Sequence, residues 1–362
     1  MTYRRVVPSP PRDTDSREKP GHDGGRLPLI DPASLPPDLT AALARLAEGQ
    51  PRRDIAARAA EISSTYRGGG SSAAIRTNED ALAYAMSRAP ATYAATVAGL
   101  NEIARLRPDF APTALIDAGA GPGTASWAAA EAFPTLASIL QIDANPSLRA
   151  LARELTRDIP RFAALRQDAA DLARGLAISD AADLVVASYV IGELDAASRP
   201  QVGEALWRAT ADTLLLVEPG TPAGHARLMA LRAQLLAAGA HMLAPCPHAL
   251  ACPLSAPDWC HFTQRLARSR DHKQVKGAEL PFEDEKFCYV ALSRNAPALL
   301  PAARVLAQPV VTKIEVAAKL CRADGRMETV KAPRRDKARY ADAKRWRWGD
   351  AVDATESVTK SG

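Results

Sequence analysis

The sequence predicts an α/β fold: a doubly wound, mainly parallel sheet, with a helical N-terminal extension and a small C-terminal module of cysteines and β-strands. Three observations predict it. Short apolar runs alternate with amphipathic stretches between residues 113 and 220, a glycine-rich turn follows the first run, and Asp117, Asp143 and Asp168 close the first three. Such alternation buries strands on both faces, which gives a parallel sheet covered by helices. Right-handed connections then collect ligands at the carboxyl ends of the strands.

Residues 1–35 are rich in Pro, Gly, Arg and Asp without apolar periodicity, and read as a disordered leader. Residues 36–110 read as helical. DLTAALARLAEG, RRDIAARAAEISSTYR and NEDALAYAMSRAPATYAATVAGLNEIARLRP carry apolar residues at helical intervals. Asn78, ahead of Glu79 and Asp80, resembles an N-cap with an acidic first turn. Tyr66 to Ser72 is expected to be a flexible basic connection. Residues 111–240 hold the predicted strands TALIDAG, SILQIDAN, RFAALRQDA, DLVVASYVIGEL and TLLLVEPG. Between them lie helices GTASWAAAEAFP, NPSLRALARELTRD, opened by Pro146, and ASRPQVGEALWRAT. Residues 241–300 combine a run dense in Cys, Pro and His with a late strand, FCYVALSR. Residues 301–350 form a small basic β module with a hairpin about Asp324-Gly325, and 351–362 a disordered tail.

The chain has 362 residues, a net charge of +5, 47% hydrophobic and 24% charged residues, which excludes a wholly disordered, collagenous or fibrous protein. No stretch reaches the roughly 18 uninterrupted apolar residues of a membrane span. The first residues lack an apolar core and carry Asp13, Asp15, Glu18 and Asp23, unlike secretory or transit peptides. Five cysteines do not make a disulfide framework. The expectation is a cytoplasmic protein with no membrane partner, monomeric when free.

The strand TALID runs into Ala118-Gly119-Ala120-Gly121-Pro122-Gly123-Thr124 and then a helix. Glycine lets backbone turn sharply and approach a ligand without a Cβ in the way. Asp143, 24 residues after Gly119, can accept hydrogen bonds from both hydroxyls of a ribose. Asp168 either receives an adenine amino group or caps the following turn. A dinucleotide site prefers G-x-G-x-x-G. The loop is instead G-x-G-x-G, and it resembles motif I of class I S-adenosylmethionine-dependent methyltransferases, a Rossmann-like fold. The alternative is a tight turn with no ligand. Candidate cofactor contacts are Asp117, Gly119, Ala120, Gly121, Gly123, Asp143, Asp168 and Tyr189.

The fourth strand end, Ser188 to Leu194, lacks the N/D-P-P-Y/F signature of amino-methylating enzymes and any cysteine nucleophile. Glu193 is placed to be a base, although a solvated or capping carboxylate is the commoner fate. No residue is assigned as catalytic.

Cys246, Cys252 and Cys260 fall within fifteen residues, and Cys321 follows some 60 residues later. Cys288 sits in the apolar run KFCYVAL and is assigned to the core. No C-x2–4-C zinc knuckle is present, whereas an iron–sulfur cluster tolerates wider spacing of four thiolates. His248 and His261 are alternative fourth ligands. Zinc and unligated thiols stay open.

These features together resemble the methyltransferase-like family of mitochondrial small-ribosomal-subunit assembly proteins, called Rsm-twenty-two in yeast and methyltransferase-like protein seventeen in humans, here in a bacterial form. The resemblance rests on Tyr66-Arg67, AYAMSRAPATYAA (83–95), DAGAGPGT (117–124), SYVIGEL (188–194), CPHALACPL (246–254), WCHFTQR (259–265), HKQVKGA (272–278) and EDEKFCYV (283–290). It implies an S-adenosylmethionine-binding fold, association with the maturing small subunit, and a four-iron, four-sulfur (4Fe-4S) cluster on Cys246, Cys252, Cys260 and Cys321.

Charge adds a nucleic-acid expectation. Arg265, Lys273 and Lys276 follow the cysteine run. Arg334, Arg335, Lys337, Arg345 and Arg347 form a second patch, interleaved with Tyr340, Trp346 and Trp348. Basic groups neutralise phosphates and aromatic faces stack on unpaired bases, so an RNA partner is expected, and the resemblance implies that it is 16S-type rRNA. Three functions compete: an rRNA-binding assembly protein, an active rRNA methyltransferase, and a small-molecule methyltransferase, for which the basic module would have no purpose.

Overall fold

The computed structural model describes residues 29–175, 180–277 and 279–353; most of the expected leader and tail lies outside them. The prefix consists of α1 (Pro37–Leu46), α2 (Arg52–Arg67) and α3 (Asn78–Leu106). Asn78 is not the cap of α3 but its first residue. Thr77 caps, accepting from the Asp80 amide at 3.2 Å, while Asp80 accepts from the Thr77 amide at 3.1 Å. This reciprocal pair satisfies two amides that have no partner within the helix.

β1 (Ala114–Ala118), α4 (Thr124–Ala132), β2 (Ser138–Ile142), α5 (Pro146–Thr156), β3 (Leu165–Asp168), β4 (Ala182–Ser188), α6 (Ser198–Arg208) and β5 (Thr210–Pro219) then follow in the expected order, and α7 (Pro222–Ala237) adds a helix that the sequence reading did not name. β3 is shorter than predicted, because Pro160 opens a 3-10 turn over 160–162. β4 stops at Ser188, where Tyr189 takes φ +60°. β6 (His241–Ala244), β7 (Phe262–Ala267), α8 (Arg270–Lys276) and β8 (Phe282–Ser293) complete this part.

The large sheet runs β3-β2-β1-β4-β5-β8-β6, with β7 also on β8. The first five strands are parallel, and β8 lies antiparallel beside β5. This is the class I S-adenosylmethionine-dependent methyltransferase fold.

Alternation along the strands covers both faces. Leu115, Leu184, Val186, Leu215 and Val217 join the core under α3 and α4; Ile116, Val185, Ala187, Leu214 and Leu216 join that under α6 and α7. The prefix is therefore part of the domain and not an appendage: α3 supplies one covering layer. A Cβ on Gly99 would lie 2.9 Å from Leu215 Cδ1, so glycine is what lets the helix sit this close. The sheet order reverses between β1 and β4, the place where such sheets open a crevice.

β9 (Ala303–Val305), β10 (Val310–Val311), β11 (Glu315–Arg322), β12 (Met327–Pro333), α9 (Lys337–Arg345) and β13 (Ala351–Val352) build the small module. Its sheet runs β10-β11-β9-β13, and β12 pairs β11 as the expected hairpin, Cys321 opposite Met327. Gly325 makes the turn at φ +82°. No helix among the described residues is long and apolar enough to cross a membrane.

Candidate functional site

Gly119, Gly121 and Gly123 have φ of +70°, +55° and +79°, the left-handed region that glycine occupies without strain. Gly119 is also sterically obliged, since a Cβ there would meet Val190 Cγ2 at 2.4 Å. Asp117 is buried and accepts from the Ser126 amide (2.9 Å) and hydroxyl (2.7 Å), bracing the loop against α4. Burial pushes its carboxyl up to about 6, against the lowering effect of those bonds. Asp143 Oδ2 accepts from the Gly121 amide and Oδ1 from the Asn145 amide, both at 2.7 Å. Burial raises its carboxyl as well.

A cleft of about 610 Å³ opens at the sheet reversal, lined by Gly119, Asp143, Asn145, Asp171, Val190 and Glu193 among others. A narrower pocket on the other side of Gly119 is lined by Asp117, Ala120, Gly121, Tyr84, Arg88 and Tyr189. Asp168 lines neither: its side chain is exposed, and only its carbonyl contributes, accepting from the Asp143 amide at 3.2 Å. Asp171, three residues on, takes the wall position; spacing counted from the strand end misses it.

Arg88 was also missed, because one arginine in a long helix carries no mark in the sequence. It donates to Glu285 Oε1 at 3.1 Å, and its guanidinium lies 5.6 Å from the Tyr189 ring centre. Tyr189 donates to the same oxygen at 2.8 Å. Arg88 thus brings a held cation to the glycine loop.

Glu193 is neither free nor solvated. It accepts from the Ser72 amide and hydroxyl at 2.9 Å each and from Tyr66 Oη at 3.1 Å. Asn145 Nδ2 donates to the carbonyls of Ser72 and Ile75 at 2.8 Å. The connection expected to be flexible is pinned across the cleft at these points.

Cys246, Cys252, Cys260 and Cys321 line one enclosed pocket between the large sheet and β11, together with Cys288, His248 and Arg304. Cys288 is a core residue as expected, and its thiol donates to the Cys260 carbonyl at 3.3 Å. Burial, then the neighbouring sulfurs, hold Cys260 far above the usual thiol range and Cys321 at about 12. His248 Nε2 lies 3.3 Å from Cys321 Sγ. His261 does not line the pocket: its ring stacks on Trp259 and meets Trp348 edge-on. Among the described residues no three His, Cys, Asp or Glu are grouped to hold a single metal ion.

The basic residues divide. Arg265 is exposed but forks onto Asp284 at 2.7 and 2.8 Å, and Lys276 is half-buried on Glu283 at 2.6 and 2.7 Å. Both are committed to carboxylates, and Lys276 belongs to the packing under α8. Lys273 is half-exposed. Arg334, Arg335, Lys337, Arg345 and Arg347 are exposed, with Arg345 paired to Asp342. The aromatics are not open platforms. Tyr340 and Trp346 pack into the module core, and Trp348 Nε1 donates to the His261 carbonyl at 2.8 Å.

The chain is similar to several known proteins. Human ribosome assembly protein METTL17, mitochondrial, is 30% identical over 287 residues, 75% of this chain and 62% of its own length. Mitochondrial Rsm22-cox11 tandem protein 2 of Schizosaccharomyces pombe is 24% identical over 326 residues, 76% of this chain and 43% of its own. The chain thus spans under two thirds of the length of these relatives. Among solved structures, magnesium protoporphyrin IX methyltransferase of Synechocystis, with bound SAH, aligns over 57% of this chain and 87% of its own at 13% identity and TM-score 0.36. The family model described as mitochondrial small ribosomal subunit Rsm22 matches residues 78–353. That span takes in the glycine loop, the five pocket cysteines and the basic module, and the chain belongs to the Rsm22 family.

Proposed function

We propose that this protein binds S-adenosylmethionine, carries an iron–sulfur cluster on Cys246, Cys252, Cys260 and Cys321, and docks on small-subunit ribosomal RNA to assist ribosome assembly. We read it as cytoplasmic, and monomeric when free. The observation that carries the reading is the meeting of Cys246, Cys252 and Cys260 with Cys321, some 60 residues further on, around one pocket beneath the basic module.

The donor set suits a cluster better than zinc. Structural zinc usually takes its thiolates from C-x2–4-C knuckles, and this chain has none. A cuboidal cluster takes thiolates at its separated corners. Bound, it supplies a one-electron redox centre and a four-point crosslink between the two sheets. For S-adenosylmethionine, Asp143 would hold the ribose hydroxyls, the glycine loop would pass close to the ligand, and Arg88 would attract the methionine carboxylate. For RNA, the exposed Arg334, Arg335, Lys337 and Arg347 would neutralise phosphates.

Methyl transfer is not part of this proposal. Glu193, the carboxylate the sequence nominates as a base, accepts three hydrogen bonds from Tyr66 and Ser72.

The test combines metal analysis with RNA binding. Protein purified without oxygen should hold about four iron and four sulfide per chain and bind small-subunit rRNA with an affinity that falls linearly in log salt. Absence of iron and sulfide would overturn the cluster. Affinity for small-subunit rRNA no greater than for transfer RNA at equal salt would overturn the partner.

A further inference from the structure

Arg304 lines the cysteine pocket, Arg227 and Arg232 lie on α7, which forms part of its wall, and two of the three have a carboxylate partner. Arg227 pairs with Glu218 at 2.6 Å, and the fully buried Arg304 pairs with Glu102 at 2.9 Å. Arg232, on α7, is only 3% exposed and has no carboxylate at ion-pair distance among the described residues. Its Nη2 donates to the carbonyls of His248 (2.8 Å) and Leu250 (2.9 Å), and its Nε lies 3.3 Å from Met242 Sδ.

Carbonyl dipoles solvate a guanidinium without neutralising it, and a buried cation with no counter-ion is costly. Chains relieve that cost with an anion, and no acidic side chain provides one here. Both carbonyls belong to the segment between Cys246 and Cys252, so the cation is fastened to the loop that carries two of the pocket thiols. Cys246, His248 and Cys252 of that segment all line the cysteine pocket, so the cation sits directly behind the loop that forms part of the pocket wall.

We propose that Arg232 is the counter-charge of the cluster, a positioning residue that stabilises its negative charge and hence its reduced form. The inference rests on the cluster reading above. A cluster held by four thiolates carries net negative charge and gains one more on reduction. A nearby buried cation therefore favours the reduced state, and removing it lowers the midpoint potential. Arg304 has a weaker claim, because it holds a carboxylate, Glu102, which it shares with Arg105, whereas Arg232 holds none among the described residues.

The test separates charge from hydrogen bonding. Arg232→Gln keeps a donor for the carbonyls and loses the charge, whereas Arg232→Lys keeps the charge and loses the planar fork. The readouts are the midpoint potential, from dithionite titration of the visible spectrum, and the rate of iron loss to a chelator. Arg232→Gln should move the potential negative and lose iron severalfold faster than the wild-type protein, while Arg232→Lys should stay near the wild type in both. An unchanged potential in Arg232→Gln with full iron would overturn the inference alone. So would a shift in Arg232→Lys as large as that in Arg232→Gln, the pattern of a merely structural arginine. Should Arg232→Gln fail to fold, Arg232→Lys decides, and a displaced potential there would sink the idea. A wild-type protein without iron and sulfide would instead remove the cluster reading beneath it.

Discussion

Ser72 donates its amide and its hydroxyl to one oxygen of Glu193, each at 2.9 Å, across 121 residues of sequence. Both residues line the cleft at the sheet reversal, so the contact ties the α2–α3 connection to its wall. A carboxylate at the end of the fourth strand, where methyltransferases often keep chemistry, serves here as a clasp on the α2–α3 connection.

Opening the clasp should loosen that connection selectively. Glu193→Ala removes the acceptor of three hydrogen bonds, and bonds to a charged group contribute about 1.5–3 kcal/mol each. Much of that is recovered from water, so a net loss of about 2 kcal/mol in urea unfolding is expected. Hydrogen exchange over residues 66–75 should quicken while β1 and β4 stay protected. Equal exchange in mutant and wild type would refute the clasp.

Asp117 should leave a signature in pH. Burial raises its folded value from 3.8 to about 6, so the folded chain holds this proton more tightly than the unfolded one. The stabilisation is fully present below the unfolded value and is lost as pH rises through about 6. A shift of that size corresponds to about 3 kcal/mol. The stability difference between wild type and Asp117→Asn should therefore vary by that order between pH 4 and pH 7; a difference independent of pH would contradict the burial argument.

Gly121→Val tests the cofactor loop with little steric damage. A Cβ there reaches only Leu148 Cδ1 at 4.0 Å, so the fold should survive, at a cost of about 1–2 kcal/mol for a β-branched residue at φ +55°. S-adenosylmethionine affinity by calorimetry should drop at least tenfold, about 1.4 kcal/mol. An unchanged affinity would mean the loop is only a turn.

Serine substitutions divide the cysteines. Cys246→Ser and Cys321→Ser should each lower iron and sulfide and bleach the visible band, whereas Cys288→Ser should keep the colour. Equal loss in all three would undo the ligand assignment.

Charge reversal divides the basic residues in the same way. Arg335→Glu with Lys337→Glu should weaken rRNA binding and reduce the salt slope by about one per lost phosphate contact. Lys276→Ala should instead lower the melting temperature, because Glu283 loses its nearest cation, and leave the salt slope unchanged. A lower slope in Lys276→Ala would return that residue to the RNA surface.

Local chemistry made much of this protein legible in its sequence. The strand periods, Pro146 at the start of α5, the glycines that demand positive φ and the Asp324-Gly325 hairpin depend on residues close in the chain, and they appear where the sequence puts them. Errors of local reading were small: Thr77 caps α3 in place of Asn78, and β3 begins after Pro160. Partnerships between distant segments were not legible. Lys276 and Arg265 look like phosphate contacts until Glu283 and Asp284 are seen opposite them, and Trp348 looks like a stacking face until His261 is found against it. Arg88, Asp171 and Arg232 drew no notice, because a charged residue is informative only through what surrounds it. The sequence by itself determined the fold class, the glycine loop with its positive φ angles and which four cysteines to consider, since backbone propensity and residue chemistry act locally. Only the tertiary structure decided that those cysteines share one pocket, that Glu193 is a clasp and that Arg232 lies buried without a carboxylate, because burial and pairing are properties of the folded packing and not of neighbours in the chain.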